Sequence, residues 1–167
     1  MLFRSLAGTA QRRVGARGAG IGPLMSIVLG YDESPGSRPA LAMAVSLAAR
    51  FDEPLVLVYG IEPPGGMGEE FLAHQRALAE MGRTAVEHAV AEAEEAGVRT
   101  VVEVLPEKPA QALVEAADRH DARVIVVGTR GESPLRGAFL GSVSHKLLHL
   151  SDRPILCVPV RKDGAEA

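Results

Sequence analysis

From Met25 onward, short and nearly unbroken apolar runs alternate with longer stretches in which apolar residues recur at helical spacing. That alternation is the signature of repeated βαβ units. It predicts strands over Ser26 to Tyr31, Leu55 to Ile61, Val98 to Leu105, Arg123 to Gly128 and Pro154 to Val160. Helices are predicted over Ser37 to Arg50, Glu69 to Ala96, Pro109 to His120 and Ser142 to Leu150. Pro39 is tolerated in the opening turn of its helix, where the missing N–H has no helical partner. Gly97 is placed to stop the second helix, whose inner face is expected to carry Leu72, Gln75, Leu78, Ala79 and Gly82.

Runs such as Val56-Leu57-Val58 and Val124-Ile125-Val126-Val127 lack polar alternation, so these strands are expected to be buried on both faces of a parallel sheet. Right-handed crossovers leave few topologies for such a chain. A chain that winds outward from the first strand and then reverses gives an α/β fold with strand order 3-2-1-4-5 and helices on both faces. Its switch point falls between strands one and four, and open α/β sheets bind ligands in the crevice there. The loops after Tyr31 and Val127 are therefore the expected site.

The second of those loops carries the most informative string in the chain. It reads Gly128-Thr129-Arg130-Gly131, then nine residues, then Gly141-Ser142-Val143-Ser144 at the start of the last helix. Gly128 and Gly131 allow close backbone approach to a phosphate. Gly141 and Ser142 stand at a helix N-terminus, where N–H groups and the helix dipole favour an anion. The hydroxyls of Ser142 and Ser144 can donate, and Arg130 and Arg136 can offset phosphate charge. Across the crevice, Asp32 follows the first strand and could bind a ribose hydroxyl, an adenine amine or a phosphate-bound metal ion. Gly60 leaves space where a flat base could sit. The plainer alternatives are a Gly/Ser turn with Ser142 as a helix cap, Asp32 or Ser34 capping the turn after the first strand, and Gly60 as a strand-end turn.

Composition narrows the classes. At 167 residues the chain has room for one core, built mainly from Ala, Val and Leu without Trp. Residues Met1 to Leu24 hold four Arg and no acid, so removing them from a net charge of −3 leaves −7 on the remainder. An acidic body with few aromatics is a poor fit to nucleic acid. No apolar stretch approaches a membrane span, and the single cysteine, Cys157, excludes an internal disulfide; a cytoplasmic setting fits best. The expected organisation is a disordered basic extension over 1–24, one α/β domain over 25–160 and a polar tail over 161–167. Pro63 to Gly68 is expected to form a mobile flap beside the site.

With these positions assembled, the chain from Met25 to Val160 resembles the universal stress protein family in its nucleotide-binding branch. The carriers are Asp32 after the first strand, the G-x2-G-x9-G-S pattern at Gly128, Gly131, Gly141 and Ser142, and the ending Pro154-Ile155-Leu156-Cys157-Val158-Pro159-Val160. The resemblance implies a fold of the adenine nucleotide alpha hydrolase type, ATP with Mg2+ between the loops after strands one and four, and a homodimer formed partly through the last strand. It also implies that Gly30, Tyr31 and Asp32 flank the adenosine, with Gly60 and Val127 near the base or ribose. Gly128, Arg130, Gly131, Gly141, Ser142, Val143 and Ser144 would line the phosphates. Many relatives carry Val or Ile in place of Gly60, so weaker adenine packing is expected here.

A dedicated enzyme is not indicated. There is no G-x4-G-K-S/T loop, no H-E-x-x-H and no G-x-S-x-G. Glu33, Glu107 and Glu132 are acidic loop residues of the solvated kind, leaving at most slow ATP hydrolysis. His145 and His149 have the i, i+4 spacing of a ligand pair without a third partner, so no metal site is expected. The rival reading is a dimeric scaffold that uses the same fold without nucleotide.

Overall fold

The computed structural model describes residues 25–62, 69–129 and 140–160. In chain order the elements are β1 (Ser26–Gly30), α1 (Ser37–Phe51), β2 (Leu55–Gly60), α2 (Glu69–Glu95), β3 (Thr100–Leu105), α3 (Pro109–Arg119), β4 (Ala122–Gly128), α4 (Ser142–Leu150) and β5 (Ile155–Val158). All strand pairs are parallel and the sheet order is β3-β2-β1-β4-β5. The expected topology is therefore the observed one. The basic segment 1–24, the connector 63–68, residues 130–139 and the tail 161–167 lie outside the described residues, and with them Arg130, Gly131, Glu132 and Arg136.

Two cores follow from strand alternation. Ile27, Leu29, Leu55 and Leu57 point to one face, where Ala40, Leu41 and Ala44 of α1 and Val86, Ala89 and Ala93 of α2 cover them. Val28, Val56, Val58 and Ile125 point to the other, under Ala112, Leu113 and Ala116 of α3 and Leu147 of α4. Ile27, Val28 and Leu29 are fully buried, which is why β1 shows no polar alternation. Alanines on the inner helix faces let the helices settle close to the Val and Leu side chains of the sheet.

One expectation needs correction. The inner face of α2, among its described side chains, runs through Gly82, Val86, Ala89 and Ala93, whereas Leu72 is exposed. The side chains of Gln75, Leu78 and Ala79 lie outside the described set. Unlike β2 and β4, for which burial on both faces was expected, β3 has Val101 and Val102 exposed. β3 is an edge strand, and α3 packs on β1, β2 and β4 instead. Element ends moved by a residue or two, as helix and strand termini do. No described helix is long and apolar enough to cross a membrane.

Candidate functional site

The order β2-β1-β4-β5 places the chain's reversal between β1 and β4. After β1 the chain turns toward the face covered by α1; after β4 it turns to the opposite face and enters α4. A crevice at the carboxyl ends of these two neighbouring strands is the geometric result.

The β1 wall is a tight turn. Tyr31 donates its N–H to the carbonyl of Val58 at 3.2 Å, continuing the sheet edge. Its ring is buried, and burial, with the Glu33 carboxylate next in importance, pushes the phenol above its ordinary value. Asp32 is exposed, and its Oδ1 accepts the Ser34 N–H at 3.0 Å. Asp32 thus shapes the turn, while Gly36 occupies the N-cap position of α1 without a side-chain cap. Between them Glu33 adopts a left-handed backbone with φ 58°, which a residue with a Cβ rarely takes without a compensating reason. Ser37 closes the turn, donating both N–H and Oγ to the carbonyl of Ser34 at 2.9 Å.

The β4 wall meets this turn directly. A Cβ on Gly128 would collide with the carbonyl oxygen of Gly36, so glycine is required for the two backbones to touch. The close approach expected of Gly128 toward a phosphate is used here toward the β1 turn. Thr129 continues the sheet, donating to Val158 at 3.0 Å, and its carbonyl accepts the Gly141 N–H at 2.6 Å. The two ends of the intervening loop are therefore tied together at the mouth of the crevice. Gly141 is the N-cap of α4, extended at φ −66° and ψ 161°, and as a glycine it supplies no side-chain cap. The N-terminal N–H groups of α4 stand at this mouth without an internal side-chain acceptor among the described residues.

The sequence candidates divide accordingly. Gly30, Tyr31, Asp32, Val127, Gly128, Gly141, Ser142, Val143 and Ser144 all lie at or beside the ends of β1 and β4. Ser142 is exposed, so its hydroxyl is available, and it is the first helical residue, not the cap. Ser144 is different: it is buried and donates its Oγ to the Gly128 carbonyl at 3.0 Å, pinning α4 to β4. Its hydroxyl serves the frame, contrary to the expectation that it would reach a phosphate. Gly60 also departs from expectation. A Cβ there would lie 2.7 Å from Pro109 Cα and 3.0 Å from Ala112 Cβ, so the space is filled by the first turn of α3 and no opening for a base exists on that side. The sequence reading had Ser34 only as a possible turn cap, yet its Oγ is the one buried side-chain polar atom among the described residues with no hydrogen-bond partner.

The sequence profile of the Universal stress protein family matches residues 24–159. The chain belongs to the universal stress protein family. Universal stress protein MJ0531 of Methanocaldococcus jannaschii is 32% identical over 136 residues, covering 79% of this chain and 80% of that protein. Among solved structures, a universal stress protein family member from Burkholderia pseudomallei matches with a TM-score of 0.65 and 30% identity, covering 83% of this chain and 99% of that one. A universal stress protein crystallised in complex with cAMP matches with a TM-score of 0.62 and 25% identity, covering 84% of this chain and 100% of that one. In this universal stress protein His145 and His149 are both exposed, their rings edge-on with centroids 5.0 Å apart. Among the described residues no cluster of three or more His, Cys, Asp or Glu forms a metal-binding group.

Proposed function

We propose that this protein is a nucleotide-responsive regulator that binds ATP with Mg2+ in the crevice between the β1 turn and the N-terminus of α4. The observation that carries the reading is the first turn of α4, whose N-cap Gly141 has no capping side chain and is held at the mouth by its hydrogen bond to Thr129. Such a terminus supplies N–H donors and a favourable dipole for phosphate oxygens. The residues present fit a nucleotide: Ser142 offers an exposed hydroxyl, and the exposed Asp32 carboxylate can accept from a ribose hydroxyl or help hold a magnesium ion carried in by the phosphates. The structural neighbour bound to cAMP supports an adenine nucleotide as the ligand class.

Adenine packing in this chain does not rest on Gly60, whose side-chain direction is filled by α3. No described residue pairs a nucleophile with a base at the crevice, so the reading is of binding, with hydrolysis at most slow. A homodimer through β5 accompanies it: β5 is a sheet edge, with Ile155, Leu156 and Cys157 only partly buried. Calorimetric titration of the full chain, stripped of co-purified nucleotide, with ATP and Mg2+ is expected to give saturable micromolar binding at one site per chain. Absence of heat and of competition by ADP or AMP would leave the dimeric scaffold as the better account, and sedimentation would then test β5 pairing by itself.

A further inference from the structure

Four serines of the described chain are buried, and three of them have satisfied hydroxyls. Ser26 donates to the His120 carbonyl at 3.0 Å, Ser37 to the Ser34 carbonyl at 2.9 Å and Ser144 to the Gly128 carbonyl at 3.0 Å. Ser34 is the exception. It is 4% exposed, and its Oγ neither donates nor accepts. Its backbone, by contrast, is fully engaged, the N–H by Asp32 Oδ1 and the carbonyl twice by Ser37. A buried hydroxyl without a partner costs on the order of 1–3 kcal/mol, and such groups persist where something else uses them.

Its location indicates what that use is. Ser34 sits in the turn that forms the β1 wall of the crevice, two residues from Asp32 and two from Gly36, whose carbonyl abuts Gly128 at the end of β4. The preceding residue, Glu33, holds the left-handed φ of 58°. Two unfavourable features therefore share one turn at the one place where a ligand is expected, and a small movement of that turn could relieve both. An alanine would fill the same space without an orphaned hydroxyl.

We propose that Ser34 Oγ is a ribose-binding group, held unpaired in this conformation and engaged when the nucleotide shifts the Asp32–Ser37 turn. This rests on the nucleotide reading given above. The carboxylate of Asp32 can only accept, whereas the Ser34 hydroxyl both donates and accepts, so the pair suits two neighbouring hydroxyls on one sugar edge. Because the Oγ is covered, contact requires the turn to move, and the ligand's binding energy shifts the turn's equilibrium.

Ser34→Ala separates this from a purely structural role, because the two measurements move in opposite directions. Its thermal midpoint without added nucleotide is expected to rise, since an unpaired buried polar atom is removed. Its affinity for ATP and for adenosine is expected to fall by the same factor, roughly five- to tenfold for one lost hydrogen bond. A lowered midpoint would overturn the proposal by showing that the hydroxyl has a partner in the fold. Unchanged affinity would overturn it as well, and so would a loss for ATP but not for adenosine, which would assign the contact to phosphate. Wild-type protein that binds neither ligand would overturn the nucleotide reading itself, and this inference with it; wild-type binding matched by the variant would overturn only the role of Ser34.

Discussion

The two ends of the central sheet are built on opposite principles. At the amino ends of the strands, polar groups are paired. Arg123 at the start of β4 reaches across β1 to Glu53 before β2, its Nε lying 2.9 and 3.0 Å from the two carboxylate oxygens, while its guanidinium lies 4.5 Å above the Phe51 ring. Arg153 donates to Asp121 at 2.7 Å and to the Ala122 carbonyl at 3.0 Å, and Ser26 ties β1 to the end of α3 through His120. Farther along the edge strand, Arg119 and His120 from the end of α3 both converge on Glu103 of β3. At the carboxyl ends of β1 and β4, the groups are left open: an exposed carboxylate, an unpaired buried hydroxyl, an uncapped helix and a backbone contact that only glycine permits. The ion pair Lys108–Glu62 at 3.3 Å does lie at that end, but it is exposed and stands beside β2 and β3, away from the crevice. One end closes the fold, and the other keeps donors and acceptors in reserve.

The sharpest way to break this contrast is to close the open end sterically. Gly128→Val drives a side chain into the Gly36 carbonyl, backbone against backbone, and is expected to destabilise by about 3 kcal/mol and abolish nucleotide binding, read by denaturant unfolding and calorimetry. If Gly128 tolerated Val, the direct contact between the two walls would be wrong. Opening the closed end is the complementary change. Glu53→Ala removes a carboxylate that is only 8% exposed and leaves Arg123 without its partner; the thermal midpoint should fall by several degrees while ATP affinity stays at the wild-type value. A matching loss of affinity would show that the ends are not independent.

Those two changes also mark what could be read from the chain. The strand order, the reversal between β1 and β4 and the start of α4 were legible, because buried parallel strands write unbroken Val and Leu runs and a switch point follows from their order. Glu53–Arg123 was not legible, since its partners are 70 residues apart and neither belongs to a local pattern. Gly60 was misread for a related reason: a glycine at a strand end looks the same whether it faces a ligand or the first turn of α3, and only the helix position decides. Ser144 looked like a phosphate donor from its spacing, yet its depth of one helical turn puts its hydroxyl on the Gly128 carbonyl. Ser34 registered only as a possible turn cap, because serine in a turn is the commonest of choices.

Smaller effects sharpen the comparison. Burial raises the Tyr31 phenol above its ordinary 10.0, so the folded state favours the neutral ring. That contribution is fully present below pH 10.0 and is lost as pH rises through the raised native value. Thermal unfolding followed between about pH 8 and 11 should show an alkaline loss of stability that Tyr31→Phe removes. A variant that retained the full alkaline loss would assign it elsewhere. Smallest of all, Glu33→Gly relieves the left-handed backbone and should stabilise by roughly 0.5–1 kcal/mol, measured by urea unfolding. Destabilisation would mean that the Glu33 side chain makes contacts that outweigh its backbone strain.

The central claim, that the α4 N-terminus is kept open for phosphate, is tested most directly by supplying the missing cap. Gly141 already has the extended backbone of an N-cap, so Gly141→Asp places a carboxylate where it can accept the first-turn N–H groups and should stabilise the protein by about 0.5 kcal/mol. The same carboxylate occupies the phosphate position with the wrong charge. Calorimetric titration of wild type and Gly141→Asp with ATP and Mg2+ should therefore show micromolar binding by the first and none by the second, more stable protein. Equal binding by both would contradict the account, because phosphate would then be held somewhere other than the start of α4.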